Sequence, residues 1–491
     1  MRRYKDYQPH QSVFITVSGA DRFREGTFER FIVDVFSGMD IEVDTHESVE
    51  SDRGGEAPYD PRGIFGVIFY GFARGIFSSR KLEAACASDL GFMYVSGFTT
   101  PDHSTFSRYI SEHGDLMRKI FARILYLADG QGYVDYRLIA TDGTKIKANA
   151  SSQFTGTIGH FNKKRARLEE KIQQALERSE SCVEPEEQES IKRKVDRYRA
   201  NKKRVDEFLR KAERIETKRG KEVKQNITDP DCRLMKIQGA FGVGYNAQAS
   251  CSGDSGMIIA ATVGNNADDR ENLFKMEERI RESVPEHSRG LLSQSKYLFD
   301  NGYYSSANVL TAIRGGLDIY TPERKDADYY GGGRRRAKKS VGIADCEIDH
   351  DEQGLFIRCP GGRVLRKCTT QFNNGRQWYR FPVSSPQGCE GCPHYSICIG
   401  KQRTNRRDFT IEKNKLESRQ ILDDHDRKMR SEAGKLTYSK RMSLIERAFG
   451  HLKENTGFKH FLRRGLEKVN NEWLIVCGSY NLTRMFNLAN P

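Results

Sequence analysis

Three acidic residues sit where chemistry could use them. Leu138, Ile139 and Ala140 run into Thr141 and Asp142, with Gly143 next. That pattern predicts a short strand ending on a carboxylate beside a turn, open to a metal or a substrate. Lys296–Phe299 leads in the same way into Asp300, Asn301 and Gly302. Glu446 follows Ile445 on a predicted helix over Lys440–Lys453, whose Met442, Ile445, Phe449 and Leu452 share one face. If the two strands are neighbours and the helix packs towards them, the three carboxylates converge. Divalent cations relieve their repulsion, and oxygen-only ligands select Mg²⁺ or Mn²⁺. Two such ions can activate a water or a 3′-hydroxyl and stabilise the leaving oxygen of a phosphodiester. The plainer alternatives are a strand-to-turn aspartate at 142 and a structural ion pair at Glu446.

The cysteines suggest separate chemistry. Of eleven, Cys359, Cys368, Cys389, Cys392 and Cys398 crowd together. Cys389-x2-Cys392, followed by Cys398 and preceded by Cys359 in Cys-Pro-Gly-Gly, could supply four thiolates to a structural Zn²⁺. Cys368 and His394 are other candidate ligands, and plain reduced thiols in a small β insertion are the alternative. Four thiolates would leave no open position for catalysis.

The elements that must position these residues can be read in order. Residues 1–130 are mainly helical, with apolar residues at helical spacing from Phe28 to Leu127 and turns such as Pro101–Thr105. Such a module suits DNA binding or a structural cap, and it shows no clean helix-turn-helix spacing. Residues 131–325 read as the first part of an α/β core, with strands at Leu138–Thr141, Gly239–Ser252, Met257–Val263, Lys296–Phe299 and Leu317–Thr321 around two helices. Within it, residues 155–225 carry two basic helical runs separated by Pro185, which predict a helical hairpin. Its charged face is either solvated surface, a phosphate contact or a dimerisation arm. Residues 326–435 form a cysteine-bearing insertion that begins in a basic, glycine-rich stretch, and residues 436–491 are helices completing the core.

The formal net charge is +14 and the sequence pI about 9.1, which favours a polyanionic partner, most simply DNA. Lys145 and Lys147, just after Asp142, are candidate phosphate contacts or solvated strand residues. No stretch approaches a membrane span, and the N-terminus lacks an apolar run long enough for a signal peptide. A cytosolic, DNA-associated protein without a membrane partner is expected.

The motifs resemble those of DDE transposases from bacterial insertion sequences, in the branch with a Tyr-Arg-Glu-Lys signature. The resemblance rests on TDGTKIKANAS around Asp142, FDNGYYS around Asp300, and Tyr438-x2-Arg441 followed by Glu446-x6-Lys453. It extends through GYNAQ at Gly244–Gln248, Arg233–Lys236, Ser78–Glu83 and Pro101–Phe106. Four residues separate Arg441 from Glu446, where the signature has three. The resemblance implies a ribonuclease-H-like mixed-sheet core, with Asp142, Asp300 and Glu446 holding two Mg²⁺ or Mn²⁺ ions. It implies Tyr438, Arg441 and Lys453 as contacts to DNA phosphates, and an activity that cleaves the element's ends and joins the 3′ ends to target DNA. Double-stranded DNA, as terminal inverted repeats and target, is the implied partner. Acting on two ends makes a homodimer the natural state, and the bacterial nucleoid the natural location. A metal-dependent nuclease that cuts without joining, or a non-catalytic DNA-binding descendant, are the rival readings.

Overall fold

The computed structural model describes residues 18–43, 58–182, 184–216, 220–253, 255–323, 341, 343–367, 369–373, 376–382, 389, 391–398 and 408–490. The basic, glycine-rich stretch after residue 325 and Cys368 lie outside them. The chain divides into two compact units, one of residues 1–292 with 442–491, the other of residues 293–441.

The first unit is built on an antiparallel sheet. Its long strand Ala240–Ser252 pairs along one edge with Leu138–Lys147, so that Asp142 stands opposite Ala249. Arg233–Ile237 and Ile258–Gly264 share its other edge. The expected strand at residues 138–141 therefore runs six residues further, through Asp142 and Gly143 to Lys147. Gly143 makes no turn. A Cβ there would overlap the Gln248 amide and come within 2.8 Å of Asp269 Oδ1 and 2.9 Å of Asn246 Oδ1. The glycine is needed for close side-chain approach across the sheet.

The terminal helix Leu466–Ala489 is buried almost throughout, from Val469 to Leu482. A helix apolar on every side must have packing partners on every side. It packs on strand Ile258–Gly264 and on helices Pro61–Ala73 and Gly114–Gly130. Two of its side chains bond to the sheet: Trp473 Nε1 donates to Gln248 O at 2.9 Å, and Asn481 pairs with both backbone groups of Ile258. The N-terminal helices thus share one hydrophobic core with the sheet. Asp60, Asp89 and Asp102 cap three of them by accepting backbone N–H groups in the first turn.

Two long helices, Ile158–Ser181 and Pro185–Lys211, form the expected hairpin. Phe161 stacks edge-on with Phe208, Lys202 pairs with Glu169, and Arg178 pairs with Glu187. Those pairs run in opposite sequence directions, which fixes an antiparallel arrangement. Phe161, Leu168, Val205 and Phe208 make its buried seam.

In the second unit, strands Lys296–Phe299 and Asp318–Tyr320 pair in parallel, connected through helix Ser306–Arg314. Ser305 caps that helix, accepting from Asn308 N at 3.1 Å. Two three-stranded antiparallel sheets come next, Glu347–Asp351 with Gly354–Arg358 and Val364–Arg366, then Thr369–Asn373 with Arg376–Pro382 and Asp408–Glu412. Ile357, Leu365, Phe381, Phe409 and Ile411 from these sheets meet Leu416 of helix Lys413–Arg430 in a small core. Among the described residues no helix is long and apolar enough to cross a membrane.

Candidate functional site

Asp142 is half-buried in mid-strand, and its Oδ1 accepts the N–H of Gly143 at 2.7 Å. It shares a sheet face with Ala247, Ala249 and Cys251, small side chains buried in the hydrophobic core. Burial pushes the Cys251 thiol well up, and the Asp142 charge adds to the shift.

The opposite face carries a polar network that sequence reasoning missed. Lys145 Nζ lies 3.0 and 3.1 Å from the two oxygens of Asp269. Asp269 also accepts from Asn246 Nδ2 at 2.6 Å and Gln248 Nε2 at 2.9 Å. Lys145, expected at DNA phosphates, is therefore held in a mostly buried ion pair beside Gly143. The alternation of Asn246 and Gln248 in GYNAQ, aligned with Lys145 and Gly143, was the available signal; nothing local pointed to Asp269. Lys147 remains exposed at the strand's end.

Glu446 lies on helix Glu432–Gly450, whose residues Leu444, Ile445, Ala448 and Phe449 are buried. Met442, expected on that buried face, is 56% exposed. Glu446 itself is exposed and makes no hydrogen bond or ion pair among the described residues. A structural ion pair at this position has no partner there. The helix passes directly into a π-helical turn, His451–Asn455, which contains Lys453. Such turns widen a helix locally and recur at functional sites. Burial pulls the Lys453 ammonium below its ordinary range while the Asp142 carboxylate opposes the shift, so these two motif residues sense each other. Lys453 Nζ also sits 5.7 Å from the Phe449 ring centroid.

In the second unit, Asp300 follows strand Lys296–Phe299 as expected. Its Oδ1 accepts the N–H of Asn301 at 2.6 Å, and its own carbonyl accepts from Thr321 Oγ1 at 3.1 Å. Asp142 and Asp300 thus share one local device, a carboxylate oxygen anchored by the next residue's N–H. Arg441 Nη2 stands 3.8 Å from Asp300 Oδ1, and the guanidinium lies 5.9 Å from the Tyr438 ring centroid. The extra residue between Arg441 and Glu446 does not keep Arg441 from an acidic motif residue.

The cysteines group without closing into a metal site. Cys359 and Cys392 flank Gly361, their sulfurs 3.7 and 2.7 Å from where a Cβ would stand. Cys389 Sγ accepts from Arg363 Nη1 at 3.6 Å, and Cys359, Cys389 and Cys398 pack on the same small core. Buried Cys346, which no spacing motif singled out, joins them; its thiol is pushed up to about 11 by burial, with Cys359 and Cys398 adding to the shift. Within each unit, among the described residues, no three His, Cys, Asp or Glu side chains are close enough to hold a metal ion. Cys359, Cys389, Cys392 and Cys398, the residues of the zinc expectation, lie around this small core and the loop at Gly361.

Two family models match the chain. Residues 358–486 match a family described as Transposase DDE domain, and residues 18–112 match one described as Transposase domain. The chain is a relative of the DDE transposases of insertion sequences. No curated protein matches it. The first match includes Tyr438, Arg441, Glu446 and Lys453 together with all four cysteines of the zinc expectation. The second includes the Ser78–Glu83 and Pro101–Phe106 motifs. Asp142 and Asp300 of this transposase relative lie between the two matched segments.

Proposed function

We propose that the chain is an active transposase that binds the double-stranded ends of an insertion sequence, cleaves them, and joins the 3′ ends to target DNA. The observation that carries this reading is Glu446, an exposed and unpartnered carboxylate in the matched transposase domain, on the helix that leads into Lys453. An exposed carboxylate with no cation beside it is open to a metal ion.

Asp142, Asp300 and Glu446 are the residues that would hold two Mg²⁺ or Mn²⁺ ions, and their all-oxygen donor set fits those ions. Bound there, such ions would activate the attacking oxygen and stabilise the leaving one. The chain's own residues do the positioning. The Gly143 and Asn301 N–H groups each fix one carboxylate oxygen, which orients the other. Lys453, partly desolvated and drawn by Asp142, is placed to donate to a phosphate oxygen at the reacting end. Arg441 would hold Asp300 in its rotamer. A homodimer acting on two ends, within the bacterial nucleoid, completes the proposal.

Asp142→Asn should abolish Mg²⁺-dependent cleavage of a terminal-repeat duplex while leaving its binding intact. Normal cleavage by that variant would remove Asp142 from the site. Supplying a precut 3′ end with plasmid target separates joining from cutting, and cutting without joining would favour the nuclease. Zinc stays in the proposal on one observation, the paired approach of Cys359 and Cys392 to Gly361. Metal analysis of folded protein should then give about one Zn²⁺ per chain, lowered by Cys392→Ser; zinc-free folded protein would end it.

A further inference from the structure

The first unit contains a cleft of about 910 Å³ between the hairpin helix Pro185–Lys211, the far end of strand Leu138–Lys147 and the loop before the terminal helix. Its charge is one-sided. Lys147, Arg204, Lys211 and Arg464 line it with His460, against one acid, Glu207. Lys147, Arg204 and Lys211 make no ion pair among the described residues, although the rest of the hairpin carries two between its helices and two within the second helix. Leaving three cations unpaired in one concavity raises the local positive potential, which a polyanion would neutralise.

The walls are tied in place. Phe461 N donates to Lys147 O at 2.9 Å, and Arg464 Nε donates to Asn149 O at 2.9 Å, so loop and strand move together. On the other wall, Arg204 and Lys211 are seven residues apart, about 10.5 Å along one helix face. They flank Phe208, whose ring is locked against Phe161. A row of fixed cations with a short apolar floor suits a continuous phosphate backbone better than an isolated small anion.

We infer that this cleft grips the backbone of one DNA strand, making the hairpin a clamp and not merely a solvated arm. The inference rests on the DNA-processing reading of Asp142. Lys147 lies five residues beyond Asp142 on the same strand, about 17 Å along it and on the opposite sheet face.

The test compares wild type, Arg204→Ala/Lys211→Ala and the control Arg193→Ala/Lys194→Ala, which alters equal charge elsewhere on the same helix. Each is titrated with a fluorescent 30-mer duplex across a range of salt concentrations. Two lost phosphate contacts should make the log–log salt slope shallower by about 1.8 for the cleft variant, with the control unchanged. Equal slopes for wild type and cleft variant would overturn the clamp, as would an equal change in the control. Failure of wild type to bind any duplex would instead overturn the DNA-processing reading on which the clamp rests. A second measurement needs no variant: bound duplex should protect Lys147 and Lys211 from an amine-reactive label in the wild-type protein. Full labelling of both under saturating DNA would refute the site.

Discussion

Glu472 offers a prediction whose size can be worked out. It is buried on the terminal helix, and its carboxylate accepts the N–H groups of Leu462 and Arg463 at 3.0–3.1 Å. Burial pushes it from the ordinary 4.5 up to about 7, against the pull of those N–H groups and of Arg463. A group raised on folding contributes stability that is fully present below its unfolded value. That contribution is lost as pH rises through the folded value. The gap is 7 − 4.5 = 2.5 pH units, or about 3 kcal/mol at 1.36 kcal/mol per unit. Most of it, about 2–3 kcal/mol, falls between pH 5 and pH 8. Glu472→Gln keeps an acceptor for the same N–H groups and removes the titration. Arg463 loses its neighbouring charge in the variant, but as an arginine it stays charged at both pH values, so that offset cancels in the comparison. Urea unfolding at pH 5 and pH 8, followed by the fluorescence of adjacent, buried Trp473, should show wild type losing about 2–3 kcal/mol relative to the variant. Parallel pH dependences would refute the assignment. The same loop carries His460 and Arg464 into the basic cleft, so its anchoring bears on DNA contact as well as on folding.

The site itself sets three further expected outcomes. Gly143→Ala should cost about 1–3 kcal/mol through overpacking against Gln248 and Asp269, and should reduce cleavage by disturbing Asp142; an unchanged thermal midpoint would mean the network yields freely. Lys145→Ala should destabilise the protein by about 1–3 kcal/mol by leaving the mostly buried Asp269 carboxylate without its cation, and adding Asp269→Asn should recover part of that. A large loss of DNA affinity from Lys145→Ala at unchanged stability would restore it as a phosphate contact. Arg441→Ala should lower cleavage by more than tenfold, about 1.4 kcal/mol in barrier, while leaving duplex affinity within about twofold, as expected for a residue that holds Asp300. An affinity loss matching the activity loss would make Arg441 a phosphate contact instead.

Legibility in the sequence tracks the range of the interactions involved. The hairpin was legible because its seam repeats locally, from Phe161 to Leu168 and from Ile191 to Phe208, and Pro185 marks the start of its second helix. Asp300 was legible for the same reason: four strand residues, an anchoring N–H one residue on, and a serine-capped helix directly after it. Gly143 was misread because a glycine after a short apolar run signals a turn or a close approach equally well. The side chains that decide between them, Asn246 and Gln248, arrive from a strand about a hundred residues later. Lys145 failed likewise, since its partner Asp269 is 124 residues away.

Glu446 and Lys453 divide along the same line. Helical spacing put Glu446 beside Ile445, on the helix edge expected to pack towards the sheet; in the structure Leu444, Ile445 and Ala448 take the buried side and Glu446 is exposed. The same spacing put Lys453 two regular turns beyond it, yet Lys453 lies in a π-helical turn that no local pattern announced. A π-turn inserts extra backbone and rotates the residues beyond it, so an unbroken α-helix would have aimed Lys453 elsewhere. Its hold on the site is long-range: the half-buried lysine lies over Phe449 and is drawn towards Asp142, more than three hundred residues earlier in the chain. The motif spacing is therefore not a ruler for side-chain direction here. Lys453 feels the charge of the first carboxylate from within the π-turn, a placement that regular helical spacing does not give.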